Sequence, residues 1–122
     1  ISTFMGNGTN VNSNGFEDLN DGGLAINATM GPNIPSFVED SNGNFYFSDS
    51  INNRIRFINI QGFVNNFAGI GNLNKLEGYD AFFGQFNNPT SLFIDKRKNN
   101  NNNQNRNEII ICDTENHIIK KI

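Results

Sequence analysis

Two stretches of this chain are versions of one stretch. Phe47–Ile58, FSDSINNRIRFI, returns as Ile111–Ile122, ICDTENHIIKKI, and the spacing from Asp49 to Ile58 matches that from Asp113 to Ile122. Upstream, FMGNG (Phe4–Gly8) returns as FAGIG (Phe67–Gly71). PSFVED (Pro35–Asp40) returns, one residue longer, as PTSLFID (Pro89–Asp95), and the order of the elements is preserved. A chain made of one repeated supersecondary unit must bury each unit's apolar surface against its neighbour, which confines it to the repeat architectures. The copies differ mainly in loop length. Asp40 to Asp49 spans a short turn, whereas Asp95 to Asp113 carries KRKNNNNNQNRN. Surface turns accept such insertions because loop-closure entropy grows only with the logarithm of length.

Each unit reads as short strands. PSFVED is one, NFYFSD follows across the turn signal SNG, RIRFI follows across SINN, and FVNNF follows across NIQG. Phe, Tyr, Val and Ile suit strands, and no segment keeps a helical period with caps. In NFYFSD both faces carry aromatics, Phe45 and Phe47 on one and Tyr46 on the other. A strand apolar on both faces belongs to a sheet sandwiched between other layers.

Bulk composition narrows the function classes. The 122 residues carry a net charge of −3, one Cys, one His and no Trp. Cys112 alone excludes an intrachain disulfide and a multi-Cys zinc site. Lys96, Arg97, Lys98 and Arg106 form the one basic cluster, inside the Asn-rich tract. That tract reads as a disordered, solvated hairpin tip. With Asn so abundant, single Asn residues carry little weight as site candidates. No stretch approaches the roughly 18 apolar residues of a membrane span. Compartment is not fixed by the sequence, and the N-terminus reads as the middle of a longer chain.

The run FxGxG, then DGGLA or EGYDAFF, then Pro, hydrophobics, Asp, Gly-Asn, an aromatic, Asp-Ser/Thr, Asn and Ile-Arg/Lys resembles the NHL repeat. DSNGNFYFSDSINNRIRFI looks like the core of that repeat, and EGYDAFFGQFNNPTSLFID like its linker into the next unit. The absence of Trp argues against WD40 and kelch units. The resemblance covers nearly the whole chain outside the Asn-rich insert. It implies an all-β fold: a β-propeller fragment of two blades of four-stranded antiparallel sheet, from a ring of about six blades. Repeat 1 then occupies residues 1–61, with an outer strand at 1–4, a loop at 5–33 and inner strands at 34–58. Repeat 2 occupies 62–122, with the hairpin insert at 96–107. Two blades leave faces and edges open, so a longer propeller is expected, its remainder supplied in cis. The second copy departs from the family's N-H-R-I run, which stands here as NHII.

The site candidates are few. Asp49 and Asp113 open the turn between the second and third strands and read as structural Asx turns, the carboxylate accepting nearby backbone N–H groups. Asn52, Asn53, Arg54, Asn116 and His117 fill those turns and are the partner-contact candidates, since propellers recognise partners through loops on a rigid scaffold. Asp40, Asn42 and Asn44, like Asp18, Asn20 and Asp21, begin as calcium loops do, but neither completes the pattern. GNGTNV (Gly6–Val11) lacks the third Gly and following helix of a dinucleotide fingerprint. Asn7-Gly8-Thr9 and Asn27-Ala28-Thr29 are glycosylation sequons of the kind expected by chance in so Asn-rich a chain. The sequence holds no nucleophile–base or multi-ligand cluster. The expectation is therefore a non-catalytic protein-interaction module without cofactor or metal. Two alternatives stand beside it: a metal-dependent, lyase-like propeller enzyme, and an RNA-binding propeller, which the negative net charge opposes.

Overall fold

The computed structural model describes residues 1–9, 19–69, 85–97 and 107–122. Most of the Asn-rich insert, the linker after Gly69, and Asp18 lie outside the described residues. The seven strands among the described residues are β1 (Phe37–Glu39), β2 (Phe45–Asp49), β3 (Arg54–Ile58), β4 (Val64–Ala68), β5 (Pro89–Asp95), β6 (Glu108–Asp113) and β7 (Ile118–Lys121). They form two antiparallel meanders, β1-β2-β3-β4 and β5-β6-β7. The helical elements among the described residues are three single 3₁₀ turns at Ala25–Asn27, Ser50–Asn52 and Thr114–Asn116. No helix among them is long and apolar enough to cross a membrane.

Strand alternation distributes the apolar residues over both faces of the first sheet. One face presents Tyr46, Ile55 and Ala68, which pack with Leu92, Ile94, Ile109 and Ile111 of the second sheet and with Phe86 ahead of it. Tyr46 stacks on Phe57, and the edge of Phe67 closes the group. The opposite face presents Phe45, Phe47, Ile58 and Val64. Its cover is not a second sheet but the segment carrying Ala25, Ala28, Met30 and Ile34. The two-faced aromatic strand is thus sandwiched between a sheet and an irregular segment.

Small hydroxyls stitch the two sheets where apolar packing ends. Ser48 Oγ donates to Thr90 O (3.1 Å), Leu92 N donates to Ser36 Oγ (3.0 Å), and Ser50 Oγ donates to Pro89 O. These bonds satisfy the β5 backbone on the side that faces β1 and β2, where water is excluded.

The sheet boundary is offset from the sequence repeat. Val64–Ala68 hydrogen-bonds to β3 and so completes the sheet of the preceding copy, although the repeat as read begins at residue 62. Ile1–Phe4, expected as an outer strand, forms none. A strand needs a neighbour for its backbone groups, and none of the described strands lies beside this one. The start of the outer edge of β4 is covered instead by the loop at 22–25. Gly22 N donates to Val64 O (2.7 Å), Val64 N to Gly23 O (2.9 Å) and Ala25 N to Gly62 O (2.8 Å). An edge paired in this way no longer offers a row of free donors and acceptors.

The β1–β2 turn is organised by Asp40. Its Oδ1 accepts the backbone N–H groups of Asn42 (2.8 Å) and Asn44 (2.9 Å), and its Oδ2 accepts Asn44 Nδ2 (2.9 Å) and the Tyr46 hydroxyl (3.3 Å). Gly43 takes φ of +83°, a conformation open to glycine at no steric cost. The carboxylate that resembled the start of a calcium loop is therefore occupied by the turn itself. Burial acts to raise the Asp40 pKa, but the hydrogen bonds it accepts together hold it below the ordinary carboxylate value. Burial first, then the adjacent Asp40 charge, push the Tyr46 phenol up to about 12. Asp40 contributes stability above the unfolded carboxylate pKa that is lost as pH falls through its depressed folded value. Tyr46 does the reverse: its contribution is intact below pH 10.0 and is lost as pH rises towards about 12. In a Tyr79→Phe background, absorbance titration is expected to place the Tyr46 midpoint near 12, and Asp40→Asn should lower it. A midpoint near 10 in the parent would contradict the Tyr46–Asp40 contact.

Candidate functional site

The β2–β3 and β6–β7 hairpins end in the same turn. Asp49 leads into the 3₁₀ turn Ser50–Asn52, and Asp113 leads into Thr114–Asn116. Each turn closes on a left-handed residue, Asn53 (φ 52°, ψ 44°) and His117 (φ 56°, ψ 33°). Asn is among the residues that enter this region most readily, whereas His carries a small conformational cost there.

The aspartates do not cap their own turns. Asp49 makes no local side-chain cap; its Oδ1 accepts Gly31 N (3.2 Å) and Asn52 Nδ2 (2.9 Å), and its Oδ2 faces Arg56 Nη1 (3.3 Å). The expected Asx turn is thus replaced by a long-range clamp that ties the hairpin tip to the segment ahead of β1. Gly31 is required there. A Cβ at that position would lie 2.1 Å from Ile51 Cγ2 and 2.9 Å from Asp49 Oδ1.

Arg56 is the centre of the clamp. It lies on β3 opposite Phe47 and is fully buried, as is Asp49. Its Nε donates to Asp21 Oδ1 (3.1 Å), Nη1 to Thr29 O (2.8 Å) and Nη2 to Leu19 O (2.8 Å). The guanidinium carbon stands 5.6 Å from the Phe47 ring centroid. The guanidinium fork suits this task, since its rigid donors point in several directions at once.

The second copy repeats the plan with different parts. Asp113 Oδ1 accepts Asn87 N (2.7 Å), and Oδ2 accepts Asn116 Nδ2 (2.9 Å) and pairs with Lys120 Nζ (2.7 Å). Lys120 also donates to Gln85 O and lies 4.7 Å from the Phe86 ring centroid. Lys120 occupies the register of Arg56, but its side chain keeps 31% of its exposure where Arg56 keeps none.

The partner-contact candidates fare unequally. Asn52 is buried at 2% exposure and its amide is spent on Asp49, so it has no surface to offer a partner. Asn53 is partly buried, and its Oδ1 accepts Asn88 N (2.8 Å). Arg54 reaches Asp21 at 3.4 Å, and its buried Nε has no hydrogen-bond partner among the described residues. Asn116 is exposed while its amide holds Asp113, and His117 is exposed. The two turns lie on one rim. Asn53 holds Asn88 N, and Glu115 N donates to Asn87 O (3.0 Å), so both tips meet the short segment that enters β5. The exposed residues of the two turns are Ile51, Thr114, Glu115, Asn116 and His117, with the Thr114 hydroxyl engaged by that of Thr90. Arg56 and Lys120 were not among the sequence candidates. The signal for them was their shared register: each is a cation on the third strand of its copy, at the same distance from the aspartate.

No family model matches the sequence, and no curated protein does. Solved structures do. The chain is similar to an auxiliary nutrient binding protein from Bacteroides thetaiotaomicron VPI-5482, with a TM-score of 0.61 and 30% identity over 86% of this chain and 25% of that one. It is similar to an auxiliary nutrient binding protein from Bacteroides ovatus ATCC 8483, with a TM-score of 0.55 and 24% identity over 84% and 25%. A more distant likeness is to virginiamycin B lyase from Staphylococcus aureus, with a TM-score of 0.41 and 16% identity over 72% and 26%. The chain spans about a quarter of the length of each of these structures.

The clamp yields a direct test. Arg56→Met should destabilise the protein by about 3–5 kcal/mol in chemical denaturation, because it leaves a buried carboxylate unpaired. Lys120→Met should cost less, about 1–3 kcal/mol, since water reaches that amine. Combining Arg56→Met with Asp49→Asn should recover about 1–3 kcal/mol of the sum; strict additivity would remove the pair from the account. Taken together, the sheets, their order and the likeness to the two nutrient binding protein structures give the chain its fold: an all-β segment of a β-propeller, built of two antiparallel blades, of four and three strands.

Proposed function

We propose that this chain is part of an NHL-type propeller that serves as a non-catalytic binding module, with a protein partner docking on the rim formed by the two clamped turns. The observation that carries the reading is the shared rim. Two hairpin tips are fixed by charge pairs on buried aspartates and bound to one intervening segment, and they present Ile51, Glu115, Asn116 and His117 outward. A rigid tip pays little ordering entropy on binding. The carboxylates of Asp40, Asp49 and Asp113 are all engaged in holding turns, which favours binding over catalysis. The 30% identical structure is named as a nutrient binding protein, in keeping with a binding role.

The same reading places further blades in the same protein. The face of the first sheet that packs on the second carries Val38, Tyr46 and Ile55. The corresponding positions of the second copy, on its outer face, are Phe93, Ile110 and Ile119. Ile55 is fully buried, whereas Phe93 and Ile119 are 61% and 72% exposed. The visible occupant of this face in the first copy is a sheet of the same repeat. Another such sheet, supplied in cis, is the occupant that fits the second.

Two measurements on the intact protein test these statements. The double variant Glu115→Ala, His117→Asn alters the rim while leaving the side chains of the clamp and the Ile51–Gly31 contact in place. It is expected to weaken retention of the protein partner at least about tenfold, the equivalent of ~1.4 kcal/mol, with an unchanged melting temperature. An unaltered partner set, or stoichiometric bound metal in the intact protein, would count against the proposal. Ile119→Ala should cost about 2–5 kcal/mol if a further sheet covers it; a change within about 0.5 kcal/mol would mean that the face is open.

A further inference from the structure

Two Asn-Gly pairs lie among the described residues, Asn7-Gly8 and Asn42-Gly43, and the fold treats them in opposite ways. Both asparagines are exposed. The Asn7 side chain is held on every side. Its Oδ1 accepts Thr9 N (2.9 Å) and Thr9 Oγ1 (2.6 Å), and its Nδ2 donates to Asn27 O (3.2 Å) and Thr29 Oγ1 (3.2 Å). The Asn42 side chain has no hydrogen-bond partner among the described residues. Asn42 stands at the tip of the β1–β2 turn, where its backbone N–H donates to Asp40 Oδ1 (2.8 Å) and the N–H of Gly43 donates to Asp40 O (3.4 Å).

We infer that Asn42 is a site of spontaneous covalent conversion in the folded protein, and that Asn7, with the same following residue, is protected. The amide nitrogen of Gly43 attacks the side-chain carbonyl carbon of Asn42, forming an N–C bond and losing its proton to solvent. The C–Nδ2 bond then breaks and ammonia leaves, taking up a proton. Water opens the resulting succinimide at either carbonyl, leaving aspartate or isoaspartate at position 42. No oxidant or cofactor enters the balance. Glycine favours the attack because no Cβ obstructs the approach of its nitrogen. The Asn42 side chain reaches the attacking rotamer without breaking a side-chain hydrogen bond, and the Gly43 N–H gives up one long bond to Asp40 O (3.4 Å), whereas Asn7 must first surrender four shorter ones.

The site matters because of its neighbours. A carboxylate at position 42 stands two residues from Asp40, whose Oδ1 accepts the N–H groups of Asn42 and Asn44. In the isoaspartate product the backbone gains a methylene inside that turn. Ser41 N, between the two, donates to Asn107 Oδ1 (3.3 Å), so the turn also touches the base of the β5–β6 hairpin. Conversion therefore alters the Asp40–Tyr46 contact and the junction between the two sheets together.

The experiment is incubation of the intact protein at mildly alkaline pH, followed by peptide mapping with site-resolved mass spectrometry and isoaspartate detection. Conversion at Asn42 is expected to outrun that at Asn7 by roughly tenfold or more, the factor that about 1.4 kcal/mol of added barrier imposes. In denaturant the two rates should converge, since both pairs are then equivalent Asn-Gly sequences. An Asn42→Ser variant should show no conversion in that peptide while Asn7 keeps its slow rate. Equal rates in the folded protein, or faster conversion at Asn7, would overturn the inference.

Discussion

A buried ion pair, Asp49 with Arg56, holds this structure together at the place where its parts meet. Both side chains are fully removed from water. Such a pair is a poor source of net stability, since desolvation cancels much of the attraction. Its value lies in connectivity. Arg56 reaches Leu19, Asp21 and Thr29, and Asp49 reaches Gly31 and Asn52. One pair of strand residues thereby fixes the hairpin tip and the path of an irregular segment that covers an entire sheet face. It adds to the backbone bonds of residues 22–25 and to the apolar packing that place Ala25, Ala28 and Met30 where they complete the core around Phe47.

The second copy shows how much of this plan tolerates substitution. Asp113, Asn116 and a cation in the third strand are kept, while arginine gives way to lysine. A lysine cannot fork to several carbonyls. Lys120 accordingly serves one carboxylate, one carbonyl and the Phe86 ring, and remains partly wet. The two blades share a frame but differ in how tightly the preceding segment is bound. On the rim, the first tip is more deeply engaged with internal partners, and the second offers more free surface.

The strands, their antiparallel order and the pairing of the two copies were legible in the sequence, because alternation and recurrence report directly on which residues must be buried. Three things were not. The outer strand belongs with the copy before it, as the β3–β4 pairing shows; a linear repeat says nothing about which neighbour an edge strand chooses. Asp49 and Asp113 were read as local turn caps, whereas their carboxylates reach segments far along the chain. Local turn chemistry suffices to predict that an aspartate is needed but not whom it serves. Arg56 was passed over because a cation in a strand usually faces solvent, and single asparagines were discounted for their abundance. Yet Asn52, Asn53 and Asn59 each close a defined turn or junction. Among the partner-contact candidates, the structure leaves Asn116 and His117 outward and removes Asn52 from the surface.

Every group that Arg56 binds precedes it in the chain. During synthesis those partners have already left the ribosome when Arg56 emerges, so the clamp can close as soon as β3 forms. With β4 the first sheet is complete, and the start of its outer edge pairs at once with the waiting loop at residues 22–25. What stays open is the face carrying Tyr46 and Ile55, which waits for β5. The order of partners along the chain thus gives assembly a direction. Each finished blade exposes one sticky face, and that face is offered to the segment about to be made.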